Sequence, residues 1–259
     1  MKPCIVARTY YLAPPVEVPK HFTAKLRRAD DFIKLGVAAT AQVFPEPDEQ
    51  QTPDHRTGLF VGTAFGPMQT NFDVLGLIVD EDQTSPTLFS HSVFNSAAGY
   101  IARLFNIPGS CFTFTDFNWP FFLALAEGYQ AISSGRLEHC LVLQVENYSD
   151  LLLDARTRTG ASTDEWHPGA VAWYLSSTAK STGWQLEDVN VACKPAASVN
   201  LIHRQEELVI GQETILCTTP LAAAASVTRL IQEKNENEHT SRLTAPYGSV
   251  SLTFTPVIA

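Results

Sequence analysis

The sequence predicts an α/β fold in which a mixed β-sheet lies between layers of helices. Short runs of apolar and β-branched residues alternate with segments of helical periodicity along the chain. Several of these runs are apolar at every position, which is typical of strands that are covered on both faces of a sheet. The chain has 259 residues, of which 45% are hydrophobic, so it is long enough to bury a sizeable core.

Over the first two thirds of the chain the elements follow one another clearly. The first run is β-branched and aromatic and stops at two prolines, which indicates an opening strand. The next segment has helical spacing and carries acidic residues in its first turn, where they complement the helix dipole. A later apolar helix is closed by a Ser-Gly pair. The predicted strands here are 4–12, 58–63, 111–115, 139–145 and 169–175, and the predicted helices are 29–41, 68–78, 95–105 and 121–133.

The last third carries weaker signals. Residues 189–193 are compatible with a strand, and residues 221–232 have clear helical spacing. The charged run 233–238 is expected to be a solvated loop or helix end. Residues 249–254 alternate between polar and apolar side chains, as a half-buried strand does.

Composition excludes several classes of function. The net charge of -9 and the pI near 5.2 disfavour binding to nucleic acid and to anionic membranes. No apolar run approaches the ~18 residues of a membrane helix, and the start of the sequence lacks the apolar run of a signal peptide. The five scattered cysteines form no CxxC pair, and the seven histidines form no pair at metal-ligand spacing. We therefore expect a cytoplasmic protein with reduced thiols and no metal site.

Four segments carry a family resemblance. Residues 27–32 read Arg-Arg-Ala-Asp-Asp-Phe, and residues 62–66 read Gly-Thr-Ala-Phe-Gly. Residues 85–99 begin with Ser-Pro and end in Asn-Ser-Ala-Ala-Gly, and residues 140–146 form an apolar strand that ends in glutamate. In order and spacing these segments resemble the signatures of β-ketoacyl synthases.

The resemblance implies a thiolase-like fold and an organisation of the chain. Residues 1–259 are expected to form one ketosynthase-like domain, with residues 1–176 matching well and residues 177–259 forming a shortened second half. Condensation by this family relies on thioester activation, so the resemblance implies no cofactor.

The nucleophile position departs from the family pattern. Ketosynthases carry a cysteine in Thr-Ala-Cys-x-Ser-Gly, on the tight turn that opens a buried helix. An ungapped match between Gly109 and Gly135 puts Asn118 at that position. A neutral carboxamide cannot replace the thiolate that holds the acyl chain as a thioester. Pro120 still suits the first turn of the following helix, so the scaffold is expected to survive while the chemistry is lost.

The two catalytic histidines of the family also lack counterparts. The second histidine motif is best matched by residues 218–225, which puts Thr219 at the histidine position. Nothing matches the first motif, because His203 lacks its glycine and threonine neighbours. The resemblance therefore implies a chain without catalytic residues.

One set of apolar side chains follows the glycine-rich turn. Phe65, Met68, Phe72 and Leu75 have spacings of three, four and three residues, which put them on one helix face. Two interpretations stay open: ordinary core packing, or the wall of an acyl tunnel, since family members carry chain-length-limiting residues at this place. Leu88 stands where the family has a pocket phenylalanine.

The strand 111–115 and the turn after it are unusually aromatic. They contain Phe112, Phe114, Phe117 and Trp119. In the family this strand pairs across the dimer axis, so these side chains either lie in the core or form a dimer interface.

The resemblance implies a chain-length factor, an inactive subunit that forms a heterodimer with an active β-ketoacyl synthase and meets acyl carrier protein through that complex. It is most similar to the short accessory subunits of aryl polyene ketosynthases, with polyketide or fatty-acid-like products also compatible. One alternative is a malonyl-carrier-protein decarboxylase, in which the amide of Asn118 donates hydrogen bonds to the enolate. Another is a solitary binding or scaffold protein, although a charged fraction of 17% suggests surface that a partner covers.

Overall fold

The computed structural model describes residues 2–45, 54–178, 183–194, 206–210, 213–233, 239–246 and 248–257. Within these ranges the strands are β1 Ile5–Leu12, β2 Thr57–Thr63, β3 Cys111–Thr115, β4 His139–Glu146, β5 Gly169–Ser176, β6 Gly183–Cys193, β7 Glu206–Ile210, β8 Glu213–Cys217, β9 His239–Ala245 and β10 Gly248–Val257. The helices are α1 Asp31–Val43, α2 Met68–Asp80, α3 Pro86–His91, α4 Ser96–Leu104, α5 Pro120–Ser133, α6 Asp150–Arg158 and α7 Ala222–Gln232.

The described strands form one mixed sheet in the order β3-β2-β4-β5-β1-β6-β10-β9-β7-β8. Strand β2 pairs in parallel with β3 and with β4, whereas the other strand pairs are antiparallel. Strand β3 therefore lies at one edge of the sheet.

Helices cover the central strands on both faces. Along β2, Leu59 and Val61 enter one core and Phe60 enters the other, because side chains alternate along a strand. Leu141 and Val142 divide in the same way along β4. Helices α1 and α4 contribute to the first core, and α5 and α7 contribute to the second. The predicted mixed sheet between helices is confirmed.

Local chemistry explains where two of the helices begin. Asp30 caps α1, since its Oδ1 accepts a hydrogen bond from the Ile33 N–H at 2.9 Å. Its Oδ2 accepts one from the Thr70 hydroxyl at 2.7 Å, which ties α1 to α2. Ser85 caps α3 and Pro86 occupies its first position. Helix α1 thus starts two residues later than its charge pattern predicts.

Several elements depart from the sequence-based prediction. The strand predicted at 189–193 is the second half of the longer strand β6. Helices α3 and α6 and strands β7, β8 and β9 were not predicted at all. His203 and residues 234–238 of the charged run lie outside the described residues. Among the helices that the structure describes, none is both long enough and apolar enough to cross a membrane.

Candidate functional site

The site lies at the carboxyl ends of β2, β3 and β4, around the turn that connects β3 to α5. The carboxylate Oδ1 of Asp116 accepts hydrogen bonds from the backbone N–H groups of Asn118, at 2.8 Å, and Trp119, at 2.7 Å. Pro120 then begins α5, where a missing N–H costs nothing. This turn, residues 116–119, is called the elbow below.

The elbow rests directly on the end of β2. A Cβ atom on Gly62 would lie 2.2 Å from the Pro120 carbonyl oxygen, so only glycine permits this approach. The half-buried Asn118 stands two residues before the start of α5. Its carboxamide offers hydrogen bonds but neither a nucleophile nor a titratable proton.

The thiol of Cys111, on the same strand, does not lie at the elbow. Cys111 is exposed at the start of β3, five residues of strand away from the elbow. Desolvation raises the pKa of the Cys111 thiol above its usual value, which lowers the fraction of thiolate at neutral pH.

A buried carboxylate forms hydrogen bonds to the loop that follows β2, beside the elbow. Glu146 ends β4 and is fully buried. Its carboxylate accepts hydrogen bonds from the Ala64 N–H at 2.7 Å, the Phe65 N–H at 3.4 Å and the Gln144 side-chain amide at 2.8 Å. These donors offset much of the cost of burying the polar group. Sequence reasoning did not assign Glu146 a role, although a carboxylate that ends an otherwise apolar strand is a usable signal.

The same network reaches the second half of the chain. The amide nitrogen of Gln144 also donates to the Pro220 carbonyl at 3.1 Å. Thr219 is buried beside it, and its hydroxyl accepts a hydrogen bond from the Ala222 N–H at 3.1 Å, at the start of α7. The hydroxyl at the predicted histidine position is thus bonded to the first N–H of α7. The neighbouring Thr218 hydroxyl donates to Glu165.

An aromatic cluster, missed by the sequence analysis, covers the loop that Glu146 braces. Phe65 packs against Phe117, Tyr148 and Trp166 with ring centroids 5.7, 5.8 and 6.1 Å apart. The guanidinium of Arg156 lies 3.9 Å from the centre of the Trp166 ring, a cation–π contact. Tyr148 and Trp166 lie outside any periodic segment of the sequence, so no pattern identified them.

The five residues of the predicted tunnel wall differ in how deeply they are buried. Phe65 is buried, and Met68 packs against the same cluster from the first turn of α2. Phe72 is half-buried further along α2, and Leu75 is 54% exposed. Leu88 lies on α3, which packs against α2. The set therefore runs from the elbow outward to the surface.

The four aromatic residues of the predicted interface also differ in exposure. Phe112 and Phe117 are 52% and 44% exposed, and Phe112 and Phe114 both stack on Phe60. Trp119 is only 2% exposed and belongs to the chain's own core. Trp119 has no side-chain surface to offer a partner, and its assignment to the interface is corrected on that ground.

One group in the described part of the chain has ligand atoms close enough for a metal ion: Asp54, Glu138 and His139. Arg56 forms ion pairs with both carboxylates. These pairs account for the clustering of the acidic groups without an ion.

Comparisons with known proteins identify the family and the fold. Residues 26–238 match the family model of the β-ketoacyl synthase N-terminal domain. No curated protein matches the chain. Among solved structures, a ketosynthase (ApeO) in complex with its chain length factor (ApeC) from Xenorhabdus doucetiae is similar with a TM-score of 0.63 and 14% identity, covering 98% of this chain and 99% of the matched one.

Two further structures are similar over about three quarters of the chain. The ishigamide ketosynthase/chain length factor gives a TM-score of 0.61 at 15% identity and covers 74% of this chain and 67% of the other. A type II polyketide synthase acyl-carrier protein in complex with its ketosynthase (AntDE:AntF) gives 0.60 at 18% identity and covers 75% and 70%. At these identities the likeness establishes the fold, and it confirms the predicted thiolase-like ketosynthase architecture.

Proposed function

This chain belongs to the β-ketoacyl synthase family, and from that premise we propose that it is a chain-length factor: a non-catalytic ketosynthase-like subunit that pairs with an active β-ketoacyl synthase. The observation that carries the proposal is Asn118 on an otherwise intact elbow. Asp116 and Pro120 hold the turn and the start of α5 in order. Condensation needs a thiolate there, and a carboxamide forms no thioester.

The engagement of Thr219 supports the loss of catalysis. A histidine at this position would have to face the acyl group and exchange protons or donate a hydrogen bond to the developing oxyanion. The Thr219 hydroxyl does not titrate in the neutral range, and it accepts the Ala222 N–H. The elbow thus has neither a nucleophile nor an acid–base partner from this segment.

The free edge of β3 is the proposed site of pairing with the active ketosynthase. The Ser110 carbonyl and the Asp116 N–H bond to β2. Backbone groups alternate in direction along a strand, so those of Cys111, Thr113 and Thr115 face away from β2. An unpaired strand edge is a template for a strand of another chain. The exposed ring of Phe112 next to this edge adds apolar surface for the same contact.

The proposed contribution to chain length comes from α2 and α3. Met68, Phe72 and Leu75 follow one face of α2 from the buried elbow region to the exposed surface. Bulky side chains along such a path would end an acyl tunnel that enters from the partner, because a close-packed wall is costly to displace. The products would be polyketide, aryl polyene or fatty-acid-like chains, delivered on acyl carrier protein to the complex.

Native mass spectrometry of the chain alone and of the chain co-produced with the ketosynthase encoded nearest to it tests the proposal. We expect a one-to-one complex. Thr113→Pro removes an outward N–H without touching the β2 ladder, and proline is tolerated on edge strands. This variant should fold but not pair, whereas Thr113→Val, which keeps the N–H, should pair normally.

A monomer or homodimer that ignores the ketosynthase would contradict the proposal. Carbon dioxide release from malonyl carrier protein by the chain alone, abolished by Asn118→Ala, would then support the decarboxylase alternative. Pairing that survives Thr113→Pro would refute the β3 contact while leaving the heterodimer intact.

A further inference from the structure

Covalent catalysis at an elbow requires open space beside the nucleophile, because the acyl group attached to it has to lie somewhere. The residue next to Asn118 is Trp119, which carries the largest natural side chain and is 2% exposed. Its indole joins the core cluster that also contains Phe121, Val250 and Leu252. The space next to the elbow is therefore filled by the chain's own side chain.

Two hydrogen bonds fix the backbone of Trp119 on the side of the elbow. The Trp119 N–H donates to the Asp116 carboxylate at 2.7 Å, which fixes its backbone. The Trp119 carbonyl accepts the Leu123 N–H at 3.1 Å, as the residue that precedes α5 should. The side chain of Trp119 consequently starts from a backbone that is bonded on both sides.

The second half of the chain leaves room for the indole. Gly248, the first residue of β10, has a φ of +151°, a conformation that favours glycine. A Cβ atom on Gly248 would lie 3.0 Å from Cζ3 of Trp119 and 2.2 Å from the Ala192 carbonyl oxygen. The indole thus spans the distance from the elbow to the hairpin of β9 and β10. The indole is thus closely packed at the elbow and at the hairpin.

We propose that Trp119 is a plug: its indole occupies the space that an acyl group would take beside Asn118, so the chain's own elbow is closed to acyl thioesters. The inference takes from the proposed function only the correspondence of Asn118 to the nucleophile position. It adds that a growing acyl chain is attached to the partner alone. It also makes the decarboxylase alternative sterically untenable, because a malonyl thioester has no room at Asn118.

Removal of the plug should uncover an apolar cavity, and such cavities bind apolar ligands of matching size. The probe is octanoyl-N-acetylcysteamine, a short thioester, titrated into the purified full chain by calorimetry. Wild type should show no saturable binding, and Trp119→Ala should bind the probe at least ~10-fold more tightly than wild type. Trp184→Ala is the matched control, since Trp184 is buried in the same core cluster and donates to the Ile231 carbonyl at 3.1 Å.

Three results would overturn the proposal: saturable binding by wild type, no gain by folded Trp119→Ala, or an equal gain by Trp184→Ala. If Trp119→Ala does not fold, Trp119→Val leaves a smaller cavity and is held to the same comparison. These measurements use the chain alone. If the chain pairs with no ketosynthase, the proposed function is refuted and the plug is unaffected. If the wild-type chain binds the thioester, the plug is refuted and the pairing is unaffected.

Discussion

Replacing Glu146 by glutamine tests the network that holds the elbow region together. The substitution keeps the shape of the side chain but exchanges one acceptor oxygen for an NH2 group. Ala64 and Phe65 present two backbone N–H groups to the carboxylate, and Gln144 presents an amide. Oε1 accepts from Ala64 and Gln144 and Oε2 accepts from Phe65, so an NH2 group in place of Oε2 leaves the buried Phe65 N–H without its acceptor.

The magnitude follows from these contacts. A buried donor without a partner costs about 1–3 kcal/mol, and hydrogen bonds to a charged group contribute about 1.5–3 kcal/mol each. We therefore expect Glu146→Gln to lower the free energy of unfolding by about 1–3 kcal/mol. That loss is large against the ~5–15 kcal/mol that stabilises a typical domain.

Urea unfolding measures the effect, provided that the denaturant slope stays constant between variants. Glu138→Gln is the matched control, because Glu138 pairs with the largely exposed Arg56, and the expected change is below about 1 kcal/mol. A Glu146→Gln variant within about 0.5 kcal/mol of wild type would refute the reasoning, since surface substitutions lie in that range. Equal losses in the two variants would refute it as well.

Three other perturbations test the site and the proposed partner. Phe72→Ala should lengthen the products of the ketosynthase pair, whereas Leu151→Ala, on the exposed surface of α6, should leave them unchanged in a mass spectrum. Cys111 should be alkylated slowly in the free chain and protected in the complex; Cys4 should resist alkylation in both, because burial raises its pKa to about 12. Gly62→Ala should give an insoluble or thermally labile chain, measured by the soluble fraction and the Tm, because its Cβ would collide with the backbone at the start of α5.

The central elements were predictable because their signals are local. Apolar runs bounded by glycine or proline marked β2, β3, β4 and β5, and helical spacing marked α1, α2, α4 and α5. Apart from β3, whose residues are exposed or half-buried, each of these elements contains buried residues, so the apolar pattern records the burial. The bounds moved by one or two residues where a cap such as Asp30 decides the end of a helix.

The elements that were not predicted lack an apolar pattern of this kind. Strand β8 has exposed or half-buried positions except for its last residue, and α6 buries only Arg156. Strands β7 and β9 pair with each other although they are distant in the sequence, and a contact between remote segments leaves no periodic trace in either. The contacts of Glu146 and Trp119 could not be predicted for the same reason, because both residues contact partners that lie far away in the sequence.

For the proposed non-catalytic subunit, the elbow explains how the scaffold can persist without the condensation chemistry. One turn joins β3, whose free edge is the proposed pairing surface, to α5, which packs under the centre of the sheet. A change that disordered this turn would detach the edge strand from its support. Under the proposed function, binding of the partner depends on a turn that is held in order without a nucleophile. Asp116, Pro120 and Trp119 supply that support through a capped backbone, a fixed first helical turn and a filled core. On this argument the Asp116 carboxylate is the main support of the turn, and we expect Asp116→Ala to lower the free energy of unfolding and to weaken pairing.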